Sequence, residues 1–297
     1  MKIIVIGSMN MDMVMQTSRI PEVGETINGE GFFLSGGGKG ANQAVACAKM
    51  GADTWMMAKV GDDIFGQSLL DDLSNYGVQT DFIVKEAGIS TGVASITVKD
   101  GNNSIILASG ANSCLLPEDI RKLESELLSA SAIMLQLEIP IETVYEVISV
   151  VKGKVPIFLN PAPALPLDDY ILQGIHYFTP NEIECRLYTG VEIHTIDDAF
   201  TALDVLRNKG IMYPLITLGE QGVAYYNGSN NVHRSGLKVN AIDTTAAGDT
   251  FSGTLAAMIV AGQTMDEAVS MAIQASALSV TRLGAQQSIP LLAEMTN

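Results

Sequence analysis

Apolar and polar positions along the chain follow two alternating periods. Ile3-Ile4-Val5-Ile6 is an unbroken apolar run closed by Gly7, the pattern of a strand buried on both faces. Residues 39–50 are rich in alanine and stop at Gly51, which predicts a helix with a glycine end. Residues 54–60 predict a strand, and 65–76 a helix ending at Gly77. Pro117 opens a predicted helix over 117–128, because proline's missing N–H costs nothing at the first helical position. Strands are predicted at 133–137 and 157–159, with a helix between them from Glu142. Helices follow at 182–189 and 197–209, each closed by glycine, and then a strand at 215–218. A late helical pair spans 249–261 and 267–282.

Strands alternating with helices imply an α/β fold, a mainly parallel sheet covered by helices on both faces. Two stretches break that rhythm. One is 11–35, with Asn28-Gly29 inside it; the other is 91–107, where two apolar runs meet across Asp100-Gly101-Asn102-Asn103. Asn-Gly and Asp-Gly are strong hairpin signals. Both stretches read as hairpins outside the main sheet, either one small accessory sheet or two ordinary surface hairpins. Repeats, low-complexity tracts and linkers are absent, so one domain over 1–297 is expected. Ligands of open α/β sheets bind at the carboxyl ends of the strands, so chemistry is sought in the loops that follow them.

Charge narrows the partners. Lys+Arg is 17 against Asp+Glu 33, a net charge of −16. Such a surface argues against nucleic acid or an anionic membrane, though backbone N–H groups can still bind a small anion locally. Hydrophobic content of 47% and charged content of 17% exclude a disordered chain. Cys47, Cys114 and Cys185 form no CxxC pair, which fits a reducing compartment rather than a disulfide framework. The first apolar run is too short for a signal peptide, and no stretch approaches the roughly 18 apolar residues of a membrane span. A soluble cytoplasmic protein is expected.

Five segments could carry chemistry. Gly36-Gly37-Gly38-Lys39-Gly40-Ala41-Asn42 opens directly into a predicted helix. Its glycines permit positive φ and close approach of backbone to a ligand, and Lys39 and Asn42 add directed donors. It is not a Walker loop, because no GKS or GKT follows. In Asp243-Thr244-Thr245-Ala246-Ala247-Gly248-Asp249, small residues precede an acid at a helix start. Asp249 could be a simple cap. It could also be a general base beside an anion hole made by the bare amides of Ala246, Ala247 and Gly248, a combination suited to phosphoryl transfer. Asn10 and Asp12, past the first strand, could hydrogen-bond a polyol or merely shape a turn. Asn181 and Glu184 share a helix start, the spacing of ordinary capping. Thr217-Leu218-Gly219-Glu220-Gln221-Gly222 is a strand and a glycine turn, either a hairpin or a nucleotide-facing loop. His176, His194 and His233 match no metal spacing, and no GxSxG elbow is present.

Taken together the motifs resemble the phosphofructokinase-B type of carbohydrate kinases, and within them the ribokinase group. Residues 37–44 are similar to the first signature of that family and 243–251 to its second. Gly61-Asp62-Asp63, Thr91-Gly92-Val93-Ala94, Gln136-Leu137-Glu138, Asn160-Pro161-Ala162-Pro163 and Thr179-Pro180-Asn181-Glu182 fall between them in the family's order. Residues 280–286 continue it. The resemblance spans essentially the whole chain and implies a three-layer α/β/α sandwich with a small β-sheet lid at about 11–36 and 91–108.

It further implies ATP as phosphate donor and a pentose, D-ribose first, as acceptor. Asp249 matches the base, and Ala246, Ala247 and Gly248 the anion hole. Asn10, Asp12, Gly38, Lys39, Asn42 and Glu138 match sugar contacts. Asn181, Glu184, Thr217, Gly219 and Gly222 match the nucleotide side, with Glu184 helping to hold hydrated Mg²⁺. Asp243, Thr245, Ser279, Arg282, Gly284 and Ser288 match a K⁺ site. The lid implies a homodimer. Ile273 departs: the group commonly places Asn or His there near adenine, whereas isoleucine can pack on the ring but not hydrogen-bond it. Competing readings are a kinase for another sugar or a nucleoside, an idle sugar-binding regulator on the same fold, and a dinucleotide enzyme. The last is disfavoured because Gly7-Ser8-Met9-Asn10 stands where GxGxxG would be needed.

Overall fold

The computed structural model describes residues 1–99 and 102–295. Asp100 and Gly101 of the expected hairpin turn lie outside the described residues. In chain order the elements begin with β1 (Lys2–Ile6), β2 (Asn10–Gln16), β3 (Gly31–Gly37), α1 (Lys39–Lys49), β4 (Asp53–Gly61), α2 (Ile64–Asn75) and β5 (Gln79–Glu86). Next come β6 (Gly92–Lys99), β7 (Asn102–Ala108), α3 (Pro117–Lys122), α4 (Glu124–Leu128), β8 (Ala132–Leu135), α5 (Ile141–Val151) and β9 (Ile157–Leu159). The remainder is α6 (Asp169–Leu172), β10 (Tyr177–Phe178), α7 (Glu182–Thr189), α8 (Ile196–Asn208), β11 (Tyr213–Thr217), β12 (Val223–Tyr226), β13 (Asn231–Arg234), α9 (Ala247–Val260), α10 (Met265–Ser279) and α11 (Leu292–Met295).

Among the described residues the strands form two sheets. The larger runs β13-β12-β11-β10-β9-β8-β1-β4-β5. It is parallel from β5 to β11, and β12 and β13 close one edge as an antiparallel pair. Its burial explains the apolar run of β1. Ile3 and Val5 point into one core, shared with Leu255 of α9 and Val269 of α10. Ile4 and Ile6 point into the other, shared with Val147 of α5 and Leu203 of α8. A strand buried on both faces has no polar side to show, and two cores on opposite faces make three layers. Ile4 is fully buried, so Ile4→Ala removes packing worth about 2–5 kcal/mol.

The second sheet has the order β3-β2-β6-β7, joining the two expected hairpins through the parallel pair β2–β6. Its base lies beside the carboxyl end of β1, where Asn10 pairs with both Gly37 and Gly92. Val14, Ala94 and Ile96 cover one another on it, while Phe32, Phe33, Leu34, Ile105, Ile106 and Leu107 are exposed.

Three local expectations change. The helix expected at 117–128 breaks at Leu123 (φ −110°, ψ 16°) into α3 and α4, and both Ile120 and Leu127 reach full burial. The strand expected at 133–137 ends at Leu135, which releases Gln136, Leu137 and Glu138 into the loop beyond it. Gly36 and Gly37 belong to β3 rather than to a loop, and only Gly38 of that run has positive φ.

Candidate active site

A cleft of about 840 Å³ opens where the carboxyl ends of the parallel strands meet the starts of α1, α7 and α9. Lys39, Ala246, Ala247, Gly248 and Asp249 line it. So do Asn181, Glu184, Thr217, Gly219, Gly222 and Ile273, which brings all the expected nucleotide-side residues together. Asn10, Asp12, Gly38, Asn42 and Glu138 are outside its lining. Asn42 adjoins it through Asp249 and Glu138 through the Lys39 backbone, while Asn10 lies against Gly38 and Asp12 against Gly37.

The glycine run is dictated by close backbone packing. Gly38 has φ 90°, and a Cβ there would lie 2.8–2.9 Å from Asn10 N, Met9 Cα and Ser8 O. A Cβ at Gly40 would lie 2.7 Å from Gly7 C and Ser8 N. The start of α1 therefore lies directly on the β1–β2 connection. Glu138 ties the same corner: its Oε2 accepts from Ser8 Oγ and, at 3.1 Å, from the Lys39 backbone N–H.

Asp249 sits in the first turn of α9, 6% exposed. Asn42 Nδ2 donates to its Oδ2 at 3.0 Å, and Gln43 Nε2 to its Oδ1 at 3.0 Å. Gln43 also donates to Asn160 Oδ1 at 3.2 Å and accepts from Gln136 Nε2 at 2.7 Å. These amides leave Asn42 Oδ1 and Gln136 Oε1 buried without a partner. Asn42 and Gln43 thus both present their NH₂ groups to the carboxylate, one to each oxygen.

Beside it the chain turns sharply. Ala246 has φ 59°, among the described residues the one non-glycine in the left-handed region, a conformation that costs about 1 kcal/mol or more. It starts α9 without any side-chain cap. The first-turn amides of Gly248 and Asp249 are left bare, and a Cβ at Gly248 would meet nothing within 4 Å. Bare helix-start amides facing open space can hold an anion, and the neighbouring carboxylate can accept a proton.

Charges crowd the corner. Burial lowers the Lys39 ammonium pKa, but Asp249, Glu138 and Glu184 outweigh it, so the net shift is upward. Burial, followed by the charges of Glu138 and Asp249, pushes Asp12 up to about 7. Among the described residues no donor meets the Asp12 carboxylate, which lies against Gly37 where any Cβ would collide with it. Burial also raises Glu184, despite the Asn181 N–H and Lys39.

Asn181 and Glu184 form the capping box of α7. Asn181 N donates to Glu184 Oε2 at 2.9 Å, and Glu184 N to Asn181 Oδ1 at 2.8 Å. Capping and cleft lining are therefore both true of these residues. The same holds at 217–222, where a short 3-10 turn (Gly219–Gln221) joins β11 to β12 as a hairpin and also lines the cleft. Thr217 N donates to Pro180 O at 3.0 Å, seating β11 against the start of α7.

Asp243 clamps the segment before α9. Its Oδ1 accepts from Thr245 N at 2.9 Å and Thr245 Oγ1 at 2.6 Å, and its Oδ2 accepts from Gly284 N at 2.9 Å. Arg282 N donates to Ser279 O at 3.0 Å, while its guanidinium pairs with Glu294 at 2.7 Å. Ser279 and Ser288 are fully buried. Asp243 thus joins Thr245 to Gly284, whereas Ser288 Oγ bonds within its own turn, to Ala285 O at 2.7 Å.

Sequence reasoning assigned no role to Ser8, Gln43, Asn112, Gln136 or Asn160. The signal was present: Gln43 and Gln136 are amides within apolar stretches, both fully buried, and such groups must be paired.

Residues 1–292 match the profile of the pfkB family carbohydrate kinases. A deoxyribokinase of Salmonella typhi is 40% identical over 293 residues, covering 98% of this chain and 96% of that protein. A ribokinase of Haemophilus influenzae is 40% identical over 288 residues, covering 96% and 94%. The solved structure of an Arabidopsis thaliana ribokinase complexed with ribose and ATP superimposes with a TM-score of 0.93 at 31% identity, covering 99% of this chain and 97% of that one.

Proposed function

The chain belongs to the pfkB family of carbohydrate kinases, and on that premise we propose that its acceptor is a pentose, D-ribose, phosphorylated at the primary hydroxyl. It is an ATP-dependent sugar kinase of the ribokinase type. The observation that carries the reading is Asp249, held by two amide donors beside the uncapped start of α9. Asp249 takes the proton of the primary hydroxyl, whose oxygen forms a bond to the γ-phosphorus. The bond from that phosphorus to the β–γ bridging oxygen breaks, and ADP leaves. The bare amides of Gly248 and Asp249 receive the charge on the transferring group; of the expected Ala246, Ala247 and Gly248, Ala247 N–H is turned to Thr244 O at 3.3 Å and Ala246 supplies the left-handed turn that exposes the other amides.

Asn10, Asp12, Gly38, Lys39, Asn42 and Glu138 hold the sugar in this reading. Asp12, which meets no donor among the described residues, suits a ligand rich in hydroxyl donors. Asn181, Thr217, Gly219, Gly222 and Ile273 hold the nucleotide, Ile273 by packing alone. Glu184 has one oxygen in its cap bond, and its other is left for a hydrated Mg²⁺, which supplies charge neutralisation at the phosphates. Asp243, Thr245, Ser279, Arg282, Gly284 and Ser288 offer hard oxygens suited to K⁺, which would order the loop leading into α9.

We read residues 1–297 as one kinase domain whose 11–36 and 91–108 segments close over the sugar. The exposed Phe32, Phe33, Leu34, Ile105, Ile106 and Leu107 support a homodimer through that sheet. No helix among the described residues is long and apolar enough to cross a membrane, and the three free cysteines suit the cytoplasm.

A second reading is 2-deoxyribose, favoured by the equal identity to a deoxyribokinase and a ribokinase. A panel of pentoses, deoxypentoses, hexoses and nucleosides with ATP, followed by location of the phosphate in the product, decides between them. Turnover of nucleosides above that of every free sugar would overturn the pentose proposal.

A further inference from the structure

Asn112 lies on the 3-10 turn (Gly110–Cys114) after β7 and is buried, yet nothing above requires an amide there. Its Oδ1 accepts from the Met9 backbone N–H at 2.9 Å, and its Nδ2 donates to Met9 O at 3.1 Å. A backbone N–H can only donate and a carbonyl can only accept, so Met9 fixes which way the Asn112 amide points. The same Nδ2 donates to Asn10 Oδ1 at 2.7 Å. That fixes Asn10 in turn: its oxygen is engaged, and its NH₂ group must face the other way.

Two further observations bear on where that NH₂ faces. Among the described residues no acceptor meets Asn10 Nδ2, and it is absent from the sealed polar atoms that lack a partner, so it reaches open space. Asp12 follows two residues later on the same face of β2, with its carboxylate free to accept. Gly92 keeps room for the amide pair, since a Cβ there would collide with both Asn10 Oδ1 and Asn112 Nδ2.

We propose that Asn112 is a positioning residue that sets sugar selectivity by presenting Asn10 to the substrate as a donor only. A hydroxyl between Asn10 and Asp12 then accepts from Asn10 Nδ2 and donates to the Asp12 carboxylate, satisfying all three groups. The 2-hydroxyl of ribose is that group, and 2-deoxyribose lacks it. The inference rests on the sugar-site reading above. Were Asn10 reversed, its oxygen would face a hydroxyl whose single proton is already given to Asp12.

The test is the ratio of kcat/KM for ribose to that for 2-deoxyribose. Asn112→Asp offers Asn10 an acceptor in place of a donor and should reverse it. The ratio should fall roughly ten-fold through the KM for ribose, with the KM for ATP moving less than about two-fold. Asn112→Ala, which frees Asn10 without reversing it, should give a smaller fall. An equal loss for both sugars, or an unchanged ratio in folded variants, overturns the positioning role. Asn10→Ala separates the two ideas. If it leaves the ratio unchanged, the sugar-site reading fails. If it collapses the ratio while Asn112→Asp does not, that reading stands and this inference falls. Should the Asn112 variants not fold, the wild-type protein still answers. The ¹⁵N-detected side-chain NH₂ signals of Asn10 should shift on adding ribose but not 2-deoxyribose, and equal shifts with both would overturn the proposal.

Discussion

Asp12→Asn should make the sugar-free protein more stable and the enzyme worse. The carboxyl is pushed from 3.8 to about 7 by burial, then by the charges of Glu138 and Asp249. That difference corresponds to roughly 4 kcal/mol in favour of the neutral form. Between pH 4 and 7 the folded chain holds this proton while the unfolded chain has released it. The unfolded state therefore binds fewer protons, and the group's contribution to stability falls as pH rises through that window. Below pH 4 the cost is absent; above pH 7 it is complete. Asparagine carries no charge at any pH, so it escapes the cost.

At about 2 cal/mol/K of unfolding entropy per residue, a chain of 297 residues gains about 1.6 °C per kcal/mol. Because roughly 1.6 kcal/mol of that cost is already present at pH 5, the variant should gain about 4 °C on wild type between pH 5 and pH 8, measured by calorimetric unfolding without sugar. Using the difference between two pH values cancels any fixed cost of the amide. The functional arm runs the other way. A sugar hydroxyl bonds the charged carboxylate more strongly than the amide, so the KM for ribose should rise ~10–100-fold in the variant. In wild type that KM should climb up to about ten-fold per pH unit below 7, because binding must expel the Asp12 proton. A pH-independent difference in midpoint, or a flat wild-type KM from pH 5.5 to 8, would refute the reasoning.

Asp249→Asn should keep ribose and ATP binding while kcat falls ~10²–10⁴-fold, since the amide cannot take the proton; single-turnover assays with calorimetric binding check this, and a kcat within a few-fold of wild type removes Asp249 as base. Gln43→Glu should move the acidic limb of the kcat–pH profile upward, because a second carboxyl then shares a proton with Asp249; an unmoved limb would mean Gln43 only packs. Activity in tetramethylammonium buffer should rise saturably with K⁺, and Asp243→Ala should blunt that rise; a flat rate from zero to physiological K⁺ would remove the cation from the proposal.

The readable parts of the fold share one property: burial on both faces. Ile3-Ile4-Val5-Ile6 had to be a central strand because two cores claim its alternate residues. Edge strands carry no such mark. In β5 most residues are partly or fully exposed, and β13 is half-buried throughout, so neither shows an apolar run. The strand β10 is two residues long, too short for any period. The hairpins were announced by Asn28-Gly29 and Asp100-Gly101, but their union depends on β2 pairing with β6, a register that no local window contains.

The site divides along a different line. Its glycines, its helix-start acid and its lysine are visible as letters, because a backbone contact or a charge needs that residue type whatever surrounds it. Amides are different: Asn and Gln each carry one acceptor and one donating NH₂, and their role depends on which end faces the ligand. Gln43 serves Asp249 as a donor only because Gln136 occupies its oxygen. Asn10 is left as a donor only because Asn112, itself oriented by Met9, occupies its oxygen. In both cases the orienting partner is remote in sequence, and the direction of the bond exists only once the backbone has brought the two together. Charge at this site is therefore legible from composition and spacing, while the polarity of its hydrogen bonds, on which discrimination between two nearly identical sugars depends, is a property of the folded chain.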